Sequence, residues 1–512
     1  MKHRLLSWIL ALAVLATMLA PMAALAEEPI TLQWYYTNDT AVPLDNDFLL
    51  KEIEEAFNVK LELIGRPGPD QNSWYQLELA AGTKLDVYEG GGLMMSDYKK
   101  YVDSGLVMAL DEEMIRENMP NLMAYYDKYA DAFGGNIFDW YRIDGKIYAI
   151  PQARPGDAKR NVIGIRGDWL EELGLEVPKT IEEFEAVLDA FTYGDPDGNG
   201  EDDTYGFTGV NWNQFSMSPI CQAFGVSIDT WYVNDEGKVV YGNVQPEMKQ
   251  FLEVLSRWYK AGYFPTEFWN QGWDEFRSQM TSGVAGMCVQ SFDSFLLEEG
   301  GWAIGDLLLT TPTAWFEVSP GMVGPEGDYG CLQFNPVTFG GTMFSYELES
   351  QPEKLKKYMQ VMDAILFSGD WLAKALYGEE GVGYNVNEKG EYVSTGASES
   401  TPAGHAIVQL REFSNDPEFD NTMNSVNNPE YYAKATKAFE AATGIYDVTS
   451  SLAGDRPLND QYKEAMSAVI NSYLPQIISG ERPIDDFDRM VEEWNAAGGL
   501  EVTAELQALL DK

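Results

Sequence analysis

Ile30-Thr-Leu-Gln-Trp-Tyr-Tyr36, then Phe48, Ile53 and Phe57, then Val59-Lys-Leu-Glu-Leu-Ile64 is the stretch that decides the fold class. A β-branched and aromatic run reads as a strand. Apolar residues at helical spacing over 47–57 read as an amphipathic helix, and the next run as a second strand. Strand, helix, strand at this length is the rhythm of a parallel sheet in an α/β protein. Outward from it the same alternation continues. Thr180 and Glu183 form a capping box ahead of Ile181, Phe184, Val187, Leu188 and Phe191. Pro246 opens a helix through Met248, Phe251, Leu252, Leu255, Trp258 and Tyr259, which Gly262 stops. Pro352 opens another through Leu355, Met359, Met362 and Leu366, with Lys354, Lys356 and Lys357 on a solvated face. Helical spacing returns over 460–478 and 485–495, whereas 385–430 is rich in Asn, Ser, Gly, Glu and Thr and reads as a long surface excursion. There is no 20–50-residue repeat and no Pro- or Ser-rich linker, so closely docked lobes are expected rather than separate modules.

The chain has 512 residues, enough for two to four domains. Its 81 acids against 35 bases give a net charge of −46, which repels nucleic acid and anionic lipid at long range. Only two histidines occur, His3 and His405, so multi-histidine metal centres are excluded and a Ser-His-Asp triad has one possible base. Carboxylate-only chemistry survives. Lys2 and Arg4, the apolar run Leu5 to Leu19 and Ala24-Leu25-Ala26 read as a signal peptide over 1–26, with Glu27 the first mature residue and an uncleaved anchor the alternative. No cysteine near the cleavage site offers itself for a lipid anchor, so the exported protein is expected in the periplasm or at the cell surface. Cys221, Cys288 and Cys331 match no zinc spacing and read as small buried residues, with one bridge as the alternative.

Asp195-Pro-Asp197-Gly-Asn199-Gly200-Glu201-Asp-Asp203 is the most specific local motif. Oxygen donors fall at loop positions one, three and five, a glycine at six, the Glu201 carbonyl at seven and Asp203 at nine. This is the first part of a calcium loop. Position twelve is Gly206, so the usual bidentate acid is missing, and Phe207 onward reads as turn or strand. An isolated structural Ca2+ site is expected at Asp195, Asp197, Asn199, Glu201 and Asp203, the alternative being an acidic surface turn. The 14 Trp, 28 Tyr and 24 Phe often sit beside polar residues, as in Trp74-Tyr75, Trp231-Tyr232 and Trp315-Phe316. Flat rings cover the apolar faces of sugars while Asp, Glu, Asn and Gln bind their hydroxyl rims. Most of these aromatics are core, and Trp258 and Trp494 read as packing.

Asp144-Gly-Lys-Ile-Tyr-Ala-Ile-Pro151, Ile165-Arg-Gly-Asp168-Trp169-Leu-Glu-Glu-Leu-Gly-Leu-Glu-Val-Pro178, Leu79-Ala-Ala-Gly82 with Asp86-Val-Tyr, Gly283-Val-Ala-Gly-Met287, Gly378-Glu-Glu380-Gly381 with Tyr384, and Asp485 to Trp494 stand in an order that resembles the extracellular (family 1) solute-binding proteins of bacterial ABC sugar importers. The likeness spans nearly the whole mature chain and is greatest to the branch of alginate-oligosaccharide binders and sugar-importer lipoproteins. It implies a two-lobed, closure-type periplasmic-binding-protein fold, α/β, with parallel-rich sheets flanked by helices and crossover hinge strands. Residues 27–152 and 330–375 would form one lobe, 153–329 and 376–512 the other. Relatives often carry a calcium loop with a further acid after position nine; here that residue is Thr204. By motif, Tyr36, Asn38, Glu89, Arg154, Gln290, Phe292, Asp293 and Tyr384 would face the ligand, with Tyr384 stacking on sugar. Trp212, Trp231 and Trp273 are candidates from composition alone.

The expected function is capture of an oligosaccharide by a monomer and its delivery to membrane permease subunits, without catalysis. The alternative is a secreted carboxylate-dependent glycoside hydrolase or lyase, and a calcium-dependent adhesion module is a third, less supported reading. Glu89 and Asp293 against Arg154, in so acidic a chain, favour a neutral glycan over a uronate, although the alginate-binding relatives argue the other way.

Overall fold

A computed structural model describes residues 28–511 apart from 38–43, 67–73, 76, 79–80, 91–94, 134, 154–160, 212–213, 296–301, 320, 331–336, 396, 398–400, 412–428, 430–444, 446 and 452–455. The leader and Cys331 lie outside the described residues.

The opening stretch folds as read: β1 (Ile30–Thr37), α1 (Phe48–Phe57) and β2 (Val59–Arg66), with β1 and β2 parallel and Ile30 opposite Val59. Next come β3 (Val87–Gly90) and β4 (Ile150–Ala153), after which the chain leaves for a second core. That core begins with β5 (Asn161–Arg166), α2 (Ile181–Tyr193), α3 (Gln214–Cys221) and α4 (Pro246–Lys260). It continues with β6 (Met287–Ser291) and β7 (Phe316–Ser319), both antiparallel to β5. The chain then returns as β8 (Val337–Phe344), which lies between β3 and β4 and runs against both. Helix α5 (Pro352–Leu366) and α6 (Pro402–Arg411) follow, and the chain crosses a third time to α7 (Pro457–Ser479).

Besides two smaller clusters, two large apolar cores form among the described residues. One gathers Leu32, Ile53, Leu122, Ile150, Phe344, Met359 and Ile407; the other gathers Ile165, Phe184, Phe251, Met287, Ile470 and Trp494. Neither core is contiguous in sequence, and among the described residues the two share none. Only the β1–β2 ladder is parallel among the strands named here. The sheets are therefore less parallel-rich than expected, because the returning β8 enters antiparallel between two strands that share a direction.

The helix signals hold. Thr180 Oγ1 accepts from Glu183 N at 3.2 Å, and Glu183 reaches back to Lys179 N at 2.7 Å. Pro246 and Pro352 stand in the first turns of α4 and α5. Cys221 and Cys288 are free and buried, and burial pushes the Cys221 thiol up to about 12.

Helix α6, within the 376–512 segment expected in the second lobe, packs with the first. Ala403, Ala406 and Ile407 of α6 join the core of β1 and α5, so the supposed surface excursion contains a buried helix. Asp47 makes this possible. Fully buried, it accepts from Leu50 N through Oδ1 at 3.1 Å and from Ala403 N through Oδ2 at 2.6 Å, capping α1 and α6 with one carboxylate. Each cap is worth about 1 kcal/mol. Asp47→Ala should lower unfolding free energy by about 2 kcal/mol in urea titration, and Asp47→Asn, with one acceptor oxygen left, by less.

Candidate functional site

β3 and β4 run in the same direction because both oppose β8. β1 advances alongside β3: Gln33 Oε1 accepts from Asp86 N at 3.0 Å, and Tyr35 Oη donates to the Val87 carbonyl at 3.0 Å. The carboxyl ends of β1, β2, β3 and β4 thus share one edge, the place where open α/β sheets bind ligands. Beneath it lies a file of rings: Tyr35, Trp74, Tyr75, Tyr88 and Tyr101, with neighbouring centroids 5.1–5.8 Å apart along Tyr35–Trp74–Tyr75–Tyr88–Tyr101. At the start of β3, Tyr358 Oη donates to Asp86 Oδ2 at 3.0 Å and the half-buried Lys354 Nζ pairs with the same oxygen at 2.5 Å.

Tyr36 lies one residue from the end of β1, half-buried and opposite Gly65. Glu89 lies on β3 opposite Thr342. Asn38 and Arg154 follow the ends of β1 and β4 and, with Trp212, fall outside the described residues. Gln290 is on β6 opposite Val162, and Phe292 and Asp293 begin the 3-10 turn that follows. Because β6 opposes β5, this turn stands beside Asn161, where the chain enters the second core. The structure therefore brings Tyr36 and Glu89 to one end of the first crossing, and Gln290, Phe292 and Asp293 to the other. Arg66 was missed: β2 runs two residues beyond Ile64, which sets a base in register with Thr37 at the strand edge. Extending the parallel register past Ile64 would have found it.

Two candidates are corrected. Trp231 is buried, its ring 4.9 Å from Tyr241 and 5.8 Å from Trp494. Tyr384 is fully buried beside Tyr377 and Tyr392, with ring centroids 6.3 and 5.8 Å away. Both rings gain more from apolar neighbours than from a wet cleft. Trp273 is 45% exposed at the start of a helix, 5.4 Å from Phe276, on the second lobe.

In the acidic loop, Gly200 N donates to both oxygens of Asp195 at 3.1 Å, and Glu201 N donates to Asn199 Oδ1 at 2.7 Å. Asn199 Nδ2 donates to Asp197 Oδ2 at 3.0 Å and to Asp203 Oδ1 at 3.2 Å. The side chains at positions three, five and nine thus converge, with an amide N–H between two carboxylates where positive charge is favoured. Among the described residues no three His, Cys, Asp or Glu side chains gather closely enough to hold a metal by themselves. Here Asn199 and the Glu201 carbonyl would complete the oxygen set, which suits a hard cation. An acid at position twelve has no room: a Cβ on Gly206 would stand 2.8 Å from the Leu188 carbonyl. Thr204 is also occupied, donating to the Phe191 carbonyl at 2.7 Å and tying the loop to the end of α2. Tyr205 then bridges to the backbone of residues 284–286, so the loop leads into an extended segment.

A fold of two separately cored lobes, with strand ends meeting a crossing from both sides, defines a binding protein that holds its ligand between lobes. Residues 49–307 match the family described as bacterial extracellular solute-binding protein. The chain belongs to that family. It is 24% identical over 482 residues to the polygalacturonan/rhamnogalacturonan-binding protein YtcQ of Bacillus subtilis, covering 90% of this chain and 87% of the relative. The fold is shared with the Streptococcus pneumoniae ABC-transporter substrate-binding protein FusA in complex with kestose (TM-score 0.68, 19% identity, 94% of this chain and 99% of that one). It is also shared with the alginate-binding protein AlgQ2 without calcium ion (TM-score 0.68, 18% identity, 95% and 99%). Membership of a solute-binding family decides against the hydrolase or lyase. Among the described residues no helix is long and apolar enough to cross a membrane.

Trp231→Ala should lower stability by about 3–5 kcal/mol in chemical denaturation, as expected for emptying an aromatic core site. It should leave the ligand affinity of the folded fraction unchanged by calorimetry. Loss of affinity without loss of stability would return Trp231 to the binding face.

Proposed function

We propose that the protein captures an oligosaccharide between its lobes and hands it to the permease of an ABC importer. The observation that carries this is the meeting of two strand edges at one crossing, bearing Tyr36 and Glu89 on one side and Gln290, Phe292 and Asp293 on the other. Ring faces and hydrogen-bonding rims of this kind suit a sugar, and the relatives named for glycans support it. A ligand touching both edges favours the closed arrangement by its differential affinity for it. Small-angle scattering should show compaction when a cognate glycan is added. Release of reducing ends from that glycan would sink the proposal.

The ligand is proposed to be neutral. Glu89 and Asp293 stand at the two edges, and the whole chain carries −46. An anionic glycan would need several basic contacts to replace its lost hydration. Arg66 and Arg154 are the bases nearest the first edge in sequence and register, and Arg160 directly precedes Asn161 at the second. Calorimetry with matched neutral and uronate oligomers at two salt concentrations decides. Neutral oligomers should bind more tightly and without salt dependence. Tight uronate binding that weakens with salt and is lost in Arg154→Ala would overturn the assignment.

The 195–203 loop is proposed to hold a structural calcium ion through Asp195, Asp197, Asn199, Asp203 and the Glu201 carbonyl. The ion would neutralise crowded carboxylates and pin the loop between α2 and the strand-like segment at 284–286. A ligand bound only by the folded state adds about 2.7 kcal/mol at a hundredfold excess over Kd. Chelation should therefore lower Tm, and Asp197→Ala should remove that response. An unchanged Tm in excess chelator would exclude a structural metal in this loop.

A further inference from the structure

Asn199-Gly200 is the one Asn-Gly pair in the chain, and both residues are exposed on the acidic loop. Such a pair is chemically unstable in water. Glycine puts no Cβ in the way, so the Gly200 nitrogen is free to turn onto the Asn199 side chain. Once that nitrogen has lost its proton to hydroxide, it attacks Asn199 Cγ. The N–Cγ bond forms, the Cγ–Nδ2 bond breaks, and ammonia leaves with a proton taken from water. Water then opens the five-membered imide. Opening at Cγ restores the peptide and leaves aspartate. Opening at the main-chain carbonyl leaves isoaspartate, with the chain now running through Cβ and Cγ. In either case one side-chain amide and one water give one acid and one ammonia.

The folded loop opposes the first step. Gly200 N–H donates to Oδ1 and to Oδ2 of Asp195, each at 3.1 Å, so the nucleophile is turned toward the start of the loop. A carboxylate at that distance also keeps the proton in place, because a like charge disfavours a second anion beside it. The electrophile is held as well. Asn199 Nδ2 donates to Asp197 Oδ2 at 3.0 Å and to Asp203 Oδ1 at 3.2 Å, while its Oδ1 accepts from Glu201 N at 2.7 Å.

The geometry points to Asn199 as a modification site, a deamidation switch that the intact loop holds off and loop opening releases, with Asp195 as the restraining residue. This depends neither on the proposed oligosaccharide nor on an ion in the loop. The product differs from its precursor where the loop is most crowded. As an amide, residue 199 sets an N–H between Asp197 and Asp203. As aspartate it sets a third carboxylate there, and like charges so close repel. As isoaspartate it also lengthens the main chain ahead of Thr204, whose hydroxyl ties the loop to the Phe191 carbonyl. Modification therefore turns a loop bridged by its own amide into one that a cation must neutralise, and refolding does not reverse it.

The test follows Asn199 by peptide mass spectrometry in the purified protein, kept warm at mildly alkaline pH in excess chelator. The urea-unfolded parent should convert Asn199 faster than any other asparagine. The folded parent should convert it more slowly by about tenfold or more, the factor that two lost hydrogen bonds correspond to. Asp195→Gly removes the acceptor and suits the φ of +50° at that position, so it should recover most of the difference with a cooperative melt. Equal rates in folded and unfolded parent, or the parent's slow rate in folded Asp195→Gly, would overturn the inference. If Asp195→Gly does not fold, Asp195→Asn, which loses the charge and one acceptor oxygen, takes its place and should recover part of the difference. Asn199→Asp reproduces one product and should melt below the parent in chelator; an equal Tm would remove the switch. A protein that binds no glycan would defeat the proposed function and leave these rates as they are.

Discussion

The first lobe depends on the double ladder that β8 makes with β3 and β4. Gly341 is the point of contact on both sides, opposite Gly90 and Pro151. A Cβ there would stand 2.6 Å from the Ile150 carbonyl, so any other residue would push the returning strand out of register. Backbone pairing at this position closes the sheet, and only then do Phe344, Tyr358 and Met359 have a surface to cover. The same ladder sets Ala153, before the first crossing, opposite Val337, after the second. Geometry at the interlobe boundary is thus set by main-chain hydrogen bonds, which tolerate far less variation than side-chain packing.

What could be read from the sequence follows from the range of the interaction involved. Helices α2, α4 and α5 were legible because their caps and apolar stripes lie within a few residues of each other. The β1–α1–β2 unit was legible for the same reason. The antiparallel entry of β8 was not, since it pairs residues about 190 and 250 positions apart. Helix α6 was hidden because its buried face is built from Ala403, Ala406 and Ile407, two of them too small to mark a hydrophobic period. Its true partner signal, the second oxygen of Asp47, lies 356 residues away.

The site was legible as position more than as chemistry. Counting strand ends places Tyr36, Glu89 and Gln290 at the edges of the lobes, because side-chain register follows from strand length alone. Choosing aromatics by composition, as for Trp231, or by motif, as for Tyr384, fails. Trp231 precedes Tyr232 and Tyr384 follows a glycine-rich turn, yet both rings point into apolar clusters assembled from distant segments. Trp494 illustrates the converse: helical spacing alone marked it as packing, and its ring lies parallel to Tyr241 at 5.4 Å. Period reports burial well because the lobe surface is locally a plane; residue type reports ligand contact poorly because stacking on a ring and stacking on a sugar use the same face.

Separate cores give the arrangement its mechanical character. Among the described residues no apolar residue is common to the two, so rotating one lobe against the other need not expose either core to water. The resistance to opening then resides in the crossings and in whatever bridges the cleft, not in hydrophobic burial. Under those conditions the open and closed forms of an empty protein can lie within a few kcal/mol, and a ligand shifts the balance with the modest differential affinity that a handful of hydrogen bonds and one stacked ring supply. A cleft sealed by a shared core would demand several times that energy from the same sugar. The discontinuity of each lobe in sequence, which obscures the fold to a local reading, is what leaves closure to be decided by the ligand.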